Sequence, residues 1–235
     1  MSRVSCIVPA YNEGPRIGGV LQATADHPLI AEVLVVDDHS TDDTRDVVKT
    51  FDHVRLIALP HNTGKSSAVA TGIAESAFDT ILLLDADLTG LTRDLITDLL
   101  EPVLKNEADI SISLRGNAPL PWRVIGLDYI SGERVFSKRF VEPLLSDISK
   151  LNSFALEVFL NRTVIRERFR IAVVAWDEVA SAMRHSSHSR LSFGINKDFL
   201  RMARLILKEI TPFEAVWQII MMLRLRTRTG RDNSY

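Results

Sequence analysis

The chain lacks most of the features that would class it at a glance. Its 235 residues hold one cysteine, Cys6, so neither an internal disulfide framework nor a metal–cysteine cluster can form. No uninterrupted apolar stretch reaches the roughly 18 residues that a bilayer span requires. Met1 runs into the apolar VSCIV within three residues, with no basic leader segment or small-residue cleavage site before it. An excess of one charge sign is missing too: 28 Lys/Arg against 30 Asp/Glu leave −2, unlike the clear basic excess of domains held on nucleic acid by phosphate contacts. There is no internal repeat, no low-complexity tract and no obvious interdomain linker. These absences lead us to expect a cytosolic globular protein that binds no nucleic acid, with Cys6 as a small core residue.

What is present is a 46% hydrophobic, 25% charged chain, long enough for one large domain with a C-terminal appendage. Charge is unevenly placed. From Arg184 to Arg231 ten Lys/Arg face three Asp/Glu, so this segment is basic and the remainder acidic.

The first half alternates short apolar runs with helix-like stretches. VSCIV (4–8), EVLVV (32–36), VRLIAL (54–59), TILLL (80–84) and ADISISL (108–114) read as strands buried on both faces. PRIGGVLQATAD, TDDTRDVVKTF, KSSAVATGIAESA and TRDLITDLLEPVLK read as the helices between them. That alternation predicts an α/β fold with a mostly parallel sheet flanked by helices. In HSTDDTRDVV, Ser40 or Thr41 is the expected helix cap, with Asp42 and Asp43 in the first turn. RGNAPLPWRV reads as a loop. Helices are predicted through DYISGERVFSKRFVE and SFALEVFLN, then a strand at IAVVAW (171–176).

In open parallel sheets ligands bind beyond the carboxyl ends of the strands, and there the polar residues crowd: PAYNEGP, DDHS, PHNTGKS and DADLTG follow the first four runs. An apolar run ending in Asp85 and Asp87 would bury charge at a cost of several kcal/mol or more unless the pair lies at an open strand end. Two carboxylates one residue apart can hold a hard divalent cation such as Mg²⁺ or Mn²⁺, whose shell substrate phosphates would complete. Competing motifs fail. NTGKSS ends like a P-loop, but the glycine required five positions before Gly64 is Leu59, and PAYNEGP lacks the dinucleotide fingerprint.

SCIVPAYNEG, VLVVDDHSTDDT, NTGKSSAVATGI and LLLDADLTG, in this order, resemble the nucleotide-diphospho-sugar (GT-A) domain of family 2 glycosyltransferases. LDYISGERVFSK and SFALEVFLN resemble the acceptor-side segments of polyprenyl- or dolichyl-phosphate sugar synthases and their soluble relatives. The resemblance implies a GT-A domain over 1–196, with a nucleotide-sugar half (1–115) and an acceptor half (116–196), followed by a helical tail (197–235). It implies that Pro9, Tyr11 and Glu13 line the nucleotide pocket of a UDP- or GDP-sugar, and that Asp38 accepts a hydrogen bond from the base. Lys65 would lie near the diphosphate. Asp85 would face the donor sugar or ribose, and Asp87, next to Ala86, would hold the metal, with both aspartates as catalytic and metal-site candidates. Inversion at the anomeric carbon is implied as well. Thr89 stands where lipid-phosphate sugar synthases commonly carry a glutamine, and Arg184, His185 and His188 are candidates for a residue that closes over the donor.

Simpler roles compete. Asp37 reads as a strand-end turn residue, Trp122 and Trp176 as packing, and Glu157 as either a helix-edge residue or an acceptor-side group. No convincing general base appears between Leu114 and Asn161, and a phosphate acceptor needs none, because its second pKa near 6 leaves it largely ionised at neutral pH. We therefore expect a polyprenyl phosphate acceptor, clamped by Arg115, Arg123 and Arg134 with Ser131 and Glu157 beside them. The alternatives are a soluble transferase with a hydroxyl acceptor, or a non-catalytic domain that binds nucleotide sugar. A sugar-1-phosphate nucleotidyltransferase fits poorly, because its first loop should be rich in glycine. In the tail, KDFLRMARLILKEI and FEAVWQIIMMLRLRTRTGR are predicted as helices. They would touch either the inner face of a membrane or a second copy of the chain.

Overall fold

The structure is a computed structural model that describes residues 3–151, 155–181, 204 and 206–227. The predicted strands appear as β1 (Val4–Ala10), β2 (Ile30–Asp37), β3 (Val54–Ala58), β4 (Thr80–Leu83), β6 (Ile110–Arg115) and β8 (Ile171–Trp176). The helices between them are α1 (Gly14–Thr24), α2 (Thr44–Lys49), α3 (Lys65–Glu75) and α4 (Arg93–Leu104). A two-residue β5 (Leu88–Thr89) follows β4, α5 (Leu120–Ile125) follows β6, and α6 (Leu145–Ile148) and α7 (Ala155–Glu167) precede β8. The last described helix, α8, spans Pro212–Leu225.

One predicted helix is corrected. DYISGERVFSKRFVE contains the strand β7 (Arg134–Ser137) followed by two short 3-10 turns, Lys138–Phe140 and Glu142–Leu144. β7 inserts antiparallel between β4 and β6, giving the sheet order β3-β2-β1-β4-β7-β6-β8. Val135 packs into the core on one face of the sheet and Phe136 into that on the other, so the strand's apolar part is two adjacent residues facing opposite sides, between Arg134 and Ser137. That is too short for a period of two to stand out against a helical one.

The two cores lie on opposite faces. One joins Ile7, Leu34, Ile81 and Ile112 to α3, α7 and Met222 of α8; the other joins Val8, Val35, Leu82 and Trp176 to α1 and α4. Cys6 and Trp176 are fully buried, as expected, and burial pushes the Cys6 thiol well above its usual range. The expected cap of α2 is also corrected. Ser40 and Thr41 serve the neighbouring loop, while Asp42 Oδ1 accepts the Thr44 amide at 3.0 Å. Burial works against this carboxyl, but hydrogen bonds from Thr44 and Gly14 hold it below its ordinary pKa.

Helix α3 lies close on the sheet because position 72 has no side chain: a Cβ on Gly72 would stand 2.5 Å from Ile7 Cγ2 and 3.2 Å from Val36 Cγ2. Gly72→Val is expected to cost about 1–3 kcal/mol by overpacking, read as a lower melting temperature with an unchanged far-ultraviolet dichroism spectrum.

Candidate active site

Strand β1 lies between β2 and β4 in the sheet, so the chain leaves its carboxyl end toward opposite sides and a cleft opens at this switch point. Its cavity is about 440 Å³ and is lined by residues that follow four consecutive strands. Pro9, Ala10, Tyr11 and Glu13 come from β1, Asp38 from β2, Asn62, Gly64, Lys65 and Ala68 from the segment after β3, and Asp85, Ala86 and Asp87 from β4. Every donor-side residue expected from the sequence lines this one cavity. Asn62, which the sequence reading passed over, joins them.

The loops are fastened to one another by side chains. Asn12 adopts a left-handed conformation (φ 55°), which asparagine tolerates. Its backbone N–H donates to Ser40 Oγ (2.9 Å), and its Oδ1 accepts from the Thr41 amide (2.8 Å). Glu13 N–H donates to Thr44 Oγ1 at 2.8 Å. The adjacent carboxylates at the end of β2 divide the remaining work. Asp37, buried, pairs with Arg45 Nε at 2.5 Å and accepts the Ser40 amide. Asp38 accepts the amides of Thr63 at 2.7 Å and Gly64 at 2.8 Å, one on each oxygen. Asp38 therefore shapes the loop that leads into α3.

Lys65, the first residue of α3, places its ammonium 2.8 Å from Asp85 Oδ1 and 3.1 Å from Glu157 Oε1 on α7. Burial opposes the charge on Lys65, but the two carboxylates hold it firmly protonated. Burial would push Asp85 up, yet Lys65 brings its carboxyl below the usual range. Behind Asp85 the wall is tight: a Cβ on Gly132 would come within 2.6 Å of Asp85 Oδ1. Glu133 lies beyond, fully buried, with Oε2 accepting from Ser113 Oγ (2.7 Å) and Ser131 Oγ (2.9 Å), and burial raises its carboxyl above the usual value. The sequence reading did not single out Glu133, and nothing in its local pattern marks it as buried. Asp87 faces the cavity and accepts a hydrogen bond from Ser181 Oγ at 2.7 Å. Ser181 belongs to β9 (Ala180–Ser181), which pairs with β5 and ties the loop after β4 to the far side of the sheet.

The expected phosphate clamp is not assembled. Arg115 is buried against Asp128, 3.1 Å away, and near Glu133. Arg134, fully buried, donates to the carbonyl oxygens of Ser131 and Tyr129 and to Asn161 Oδ1. Ser131 is bonded to Ser113 and Glu133, and Glu157 to Lys65. These four form an internal brace, because buried charges and hydroxyls must find partners inside the protein. Arg123, on α5, is the exposed member of the expected acceptor set. Arg184, His185 and His188, and the proposed domain boundary at 196, lie outside the described residues.

Among the described residues no three His, Cys, Asp or Glu side chains cluster as a metal cage. The donor set still suits a hard cation that brings most of its shell with it. Asp87 offers a carboxylate at the cavity wall, and Mg²⁺ in such sites is typically held by one or two carboxylates plus phosphate and water. Asp85 is committed to Lys65, so Asp87 is the better-placed ligand of the pair.

A nucleotide-diphospho-sugar transferase fold of the GT-A type is what this sheet order and edge cavity define. A structure of glucosyl-3-phosphoglycerate synthase from Mycobacterium tuberculosis, solved with Mn²⁺ and UDP-glucose, shares it with a TM-score of 0.66. The match covers 88% of this chain and 77% of that one at 21% identity. The glycosyl transferase family 2 model matches residues 5–159, and the chain belongs to that family. Relatives include a dolichyl-phosphate β-glucosyltransferase from Trichomonas vaginalis, 35% identical over 43% of this chain and 35% of that protein. A dolichol-phosphate mannosyltransferase from Pyrococcus furiosus is 32% identical over 61% of this chain and 38% of that protein. The chain thus spans well under half of these relatives' length.

Replacing Lys65 by Met should leave Asp85 and Glu157 facing each other without a counter-charge and lower stability at neutral pH. The folded pKa of Asp85 is depressed by Lys65, so the stability that the pair contributes is fully present above the unfolded carboxylate pKa, begins to fall below it, and is lost as pH drops through the lower folded value. The deficit of the variant should therefore be full at pH 7 and fade as pH falls through about 4, measured as the difference in melting temperature across a pH series.

Proposed function

We propose that the chain transfers a sugar from a nucleotide-diphosphate donor, UDP- or GDP-linked, with inversion at the anomeric carbon, to a phosphate-bearing lipid acceptor of the polyprenyl type. The observation that carries the donor assignment is the cavity itself: four strand-end segments converge on it with Tyr11, Glu13, Lys65, Asp85 and Asp87. The acceptor assignment is supported by the relatives' dolichyl-phosphate and dolichol-phosphate acceptors.

In this reading Tyr11, which is 42% exposed at the mouth, offers a face for the base. Asp38 acts through the backbone, holding Gly64 and Lys65 at the cavity wall. Asp87 would hold Mg²⁺ or Mn²⁺, a Lewis acid that would supply positive charge to the diphosphate leaving group. Lys65 adds a fixed positive charge beside the diphosphate and, by pairing with Asp85, keeps that carboxylate turned into the cavity where a sugar hydroxyl can donate to it. A phosphate acceptor arrives ionised and attacks in line from the side opposite the leaving group, so no protein group has to remove a proton.

Donor hydrolysis and transfer to a short-chain polyprenyl phosphate, measured with UDP- and GDP-sugars with and without Mn²⁺, test the proposal. Asp87→Ala is expected to lose at least about a hundredfold in turnover, the scale seen when one charge-stabilising group is removed, with an unchanged melting temperature in the absence of metal. Turnover above a tenth of wild type at saturating donor and Mn²⁺ would show that Asp87 holds no essential metal. Transfer to a hydroxyl acceptor in preference to the phosphate would overturn the acceptor assignment and leave the donor assignment standing.

A further inference from the structure

Helix α8 is set on the body with an unusual choice of faces. It buries Gln218 and Met222 completely, while Phe213 (81% exposed), Val216, Trp217 (45%) and Ile220 stay outside. The inward face is fixed by specific bonds: Tyr129 Oη donates to Gln218 Oε1 at 2.7 Å, Gln218 Nε2 donates to Glu214 Oε1 at 3.1 Å, and Arg162 pairs with Glu214. Thr211 caps the helix, its Oγ1 accepting the Glu214 amide, and Arg226 Nη1 at the far end donates to the Gly126 carbonyl at 3.1 Å. A helix so fastened cannot roll to hide its aromatic side chains. Residues 213, 217, 220 and 224 follow helical spacing, so the stripe ends in the exposed Arg224. Nearby α5, whose C-terminal Gly126 receives the Arg226 bond, leaves Leu120 and Val124 exposed on either side of exposed Arg123.

We infer that this outward face of α8 docks on an anionic lipid surface, with Phe213, Val216, Trp217 and Ile220 entering the headgroup boundary and Arg224 meeting lipid phosphates. Charge selects this occupant over a second copy of the chain. Between Ala215 and Arg231 the sequence has four arginines and no Asp or Glu. A copy packed on the same face would therefore bring the exposed Arg224 against a helix with no free carboxylate, since Glu214, the one acidic residue of α8, is already paired with Arg162. Tryptophan and phenylalanine flanked by basic residues are what an interfacial helix presents, and each basic residue near an anionic leaflet adds about 1 kcal/mol. At 14 residues α8 is too short to cross a bilayer. The placement does not depend on the reaction proposed above, because none of these side chains lines the cavity.

The test is sedimentation of the full chain with vesicles of phosphatidylcholine alone and of phosphatidylcholine mixed equally with phosphatidylglycerol, at low and high salt. Binding is expected to the mixed vesicles only, to weaken with salt, and to quench Trp217 when the lipids carry brominated chains. The double variant Phe213→Ser, Trp217→Ser should bind about tenfold or more weakly, and Arg224→Glu about fivefold or more weakly. All of these side chains are exposed, so melting temperature and donor hydrolysis without vesicles should not change. Absence of binding to the mixed vesicles, or equal binding by the double variant, would overturn the inference. So would a dimer in solution that the same double substitution converts to monomer, which would assign the face to a second copy.

Discussion

The Lys65 ammonium, lying between Asp85 just beyond β4 and Glu157 on α7, joins the sheet's carboxyl edge to α7 at the wall of the cavity. Each carboxylate would be costly in its place without the cation, and the cation without them. Lys65 in turn stands where it does because Asp38 accepts the amides of the two residues before it, and Asp38 is oriented by the strand that also turns Asp37 toward Arg45. The geometry of the cavity thus depends on a short chain of charge-assisted bonds running across the carboxyl edge of the sheet. Such bonds are roughly twice as strong as neutral ones, which suits loops that have little apolar surface of their own to hold them.

A second polar system lies behind the first. Arg115, Asp128, Glu133, Ser113 and Ser131 bond to one another inside the protein, leaving Arg115 Nε and Glu133 Oε1 without a hydrogen bond, and Arg134 binds the carbonyls of the turn that carries Ser131 together with Asn161 of α7. Burial draws the Arg134 guanidinium below its ordinary pKa and raises that of Glu133, as desolvation of the charged form requires. This network fixes residues 128–134, the segment that packs Gly132 against Asp85 from behind. Tyr129 extends it to Gln218 of α8, and burial moves that phenol up to about 12, so it remains a neutral donor.

The donor side was legible in the sequence for a physical reason. Continuous apolar runs of five or so residues specify strands buried on both faces, and a parallel sheet puts whatever follows each strand on one edge, so PAYNEGP, DDHS, NTGK and DADLTG had to meet. The acceptor side was not legible in the same way. Arg115 and Arg134 were expected to clamp an acceptor phosphate, and only the three-dimensional arrangement shows carbonyls and carboxylates of the protein already paired with them. β7 was missed because two adjacent apolar residues, Val135 and Phe136, between an arginine and a serine carry no period. Glu133 gave no signal because, Ser131 apart, its partners Ser113 and Arg115 come from β6, distant in sequence.

The helix at the end of the described chain shows how burial of a polar residue can carry information. A glutamine inside and a tryptophan outside reverse the usual preference, and the reversal costs free energy unless the inside group is bonded and the outside group is covered. Gln218 is bonded at both ends of its amide, so the first condition is met within the protein. The second is not met by any described residue. Because the Tyr129–Gln218 bond joins α8 to the segment that carries Gly132 behind Asp85, whatever covers Phe213 and Trp217 also holds that segment at a fixed height above it. A lipid surface in that position would present a membrane-borne phosphate at a constant distance from the sheet edge, converting a search in three dimensions into one along a plane.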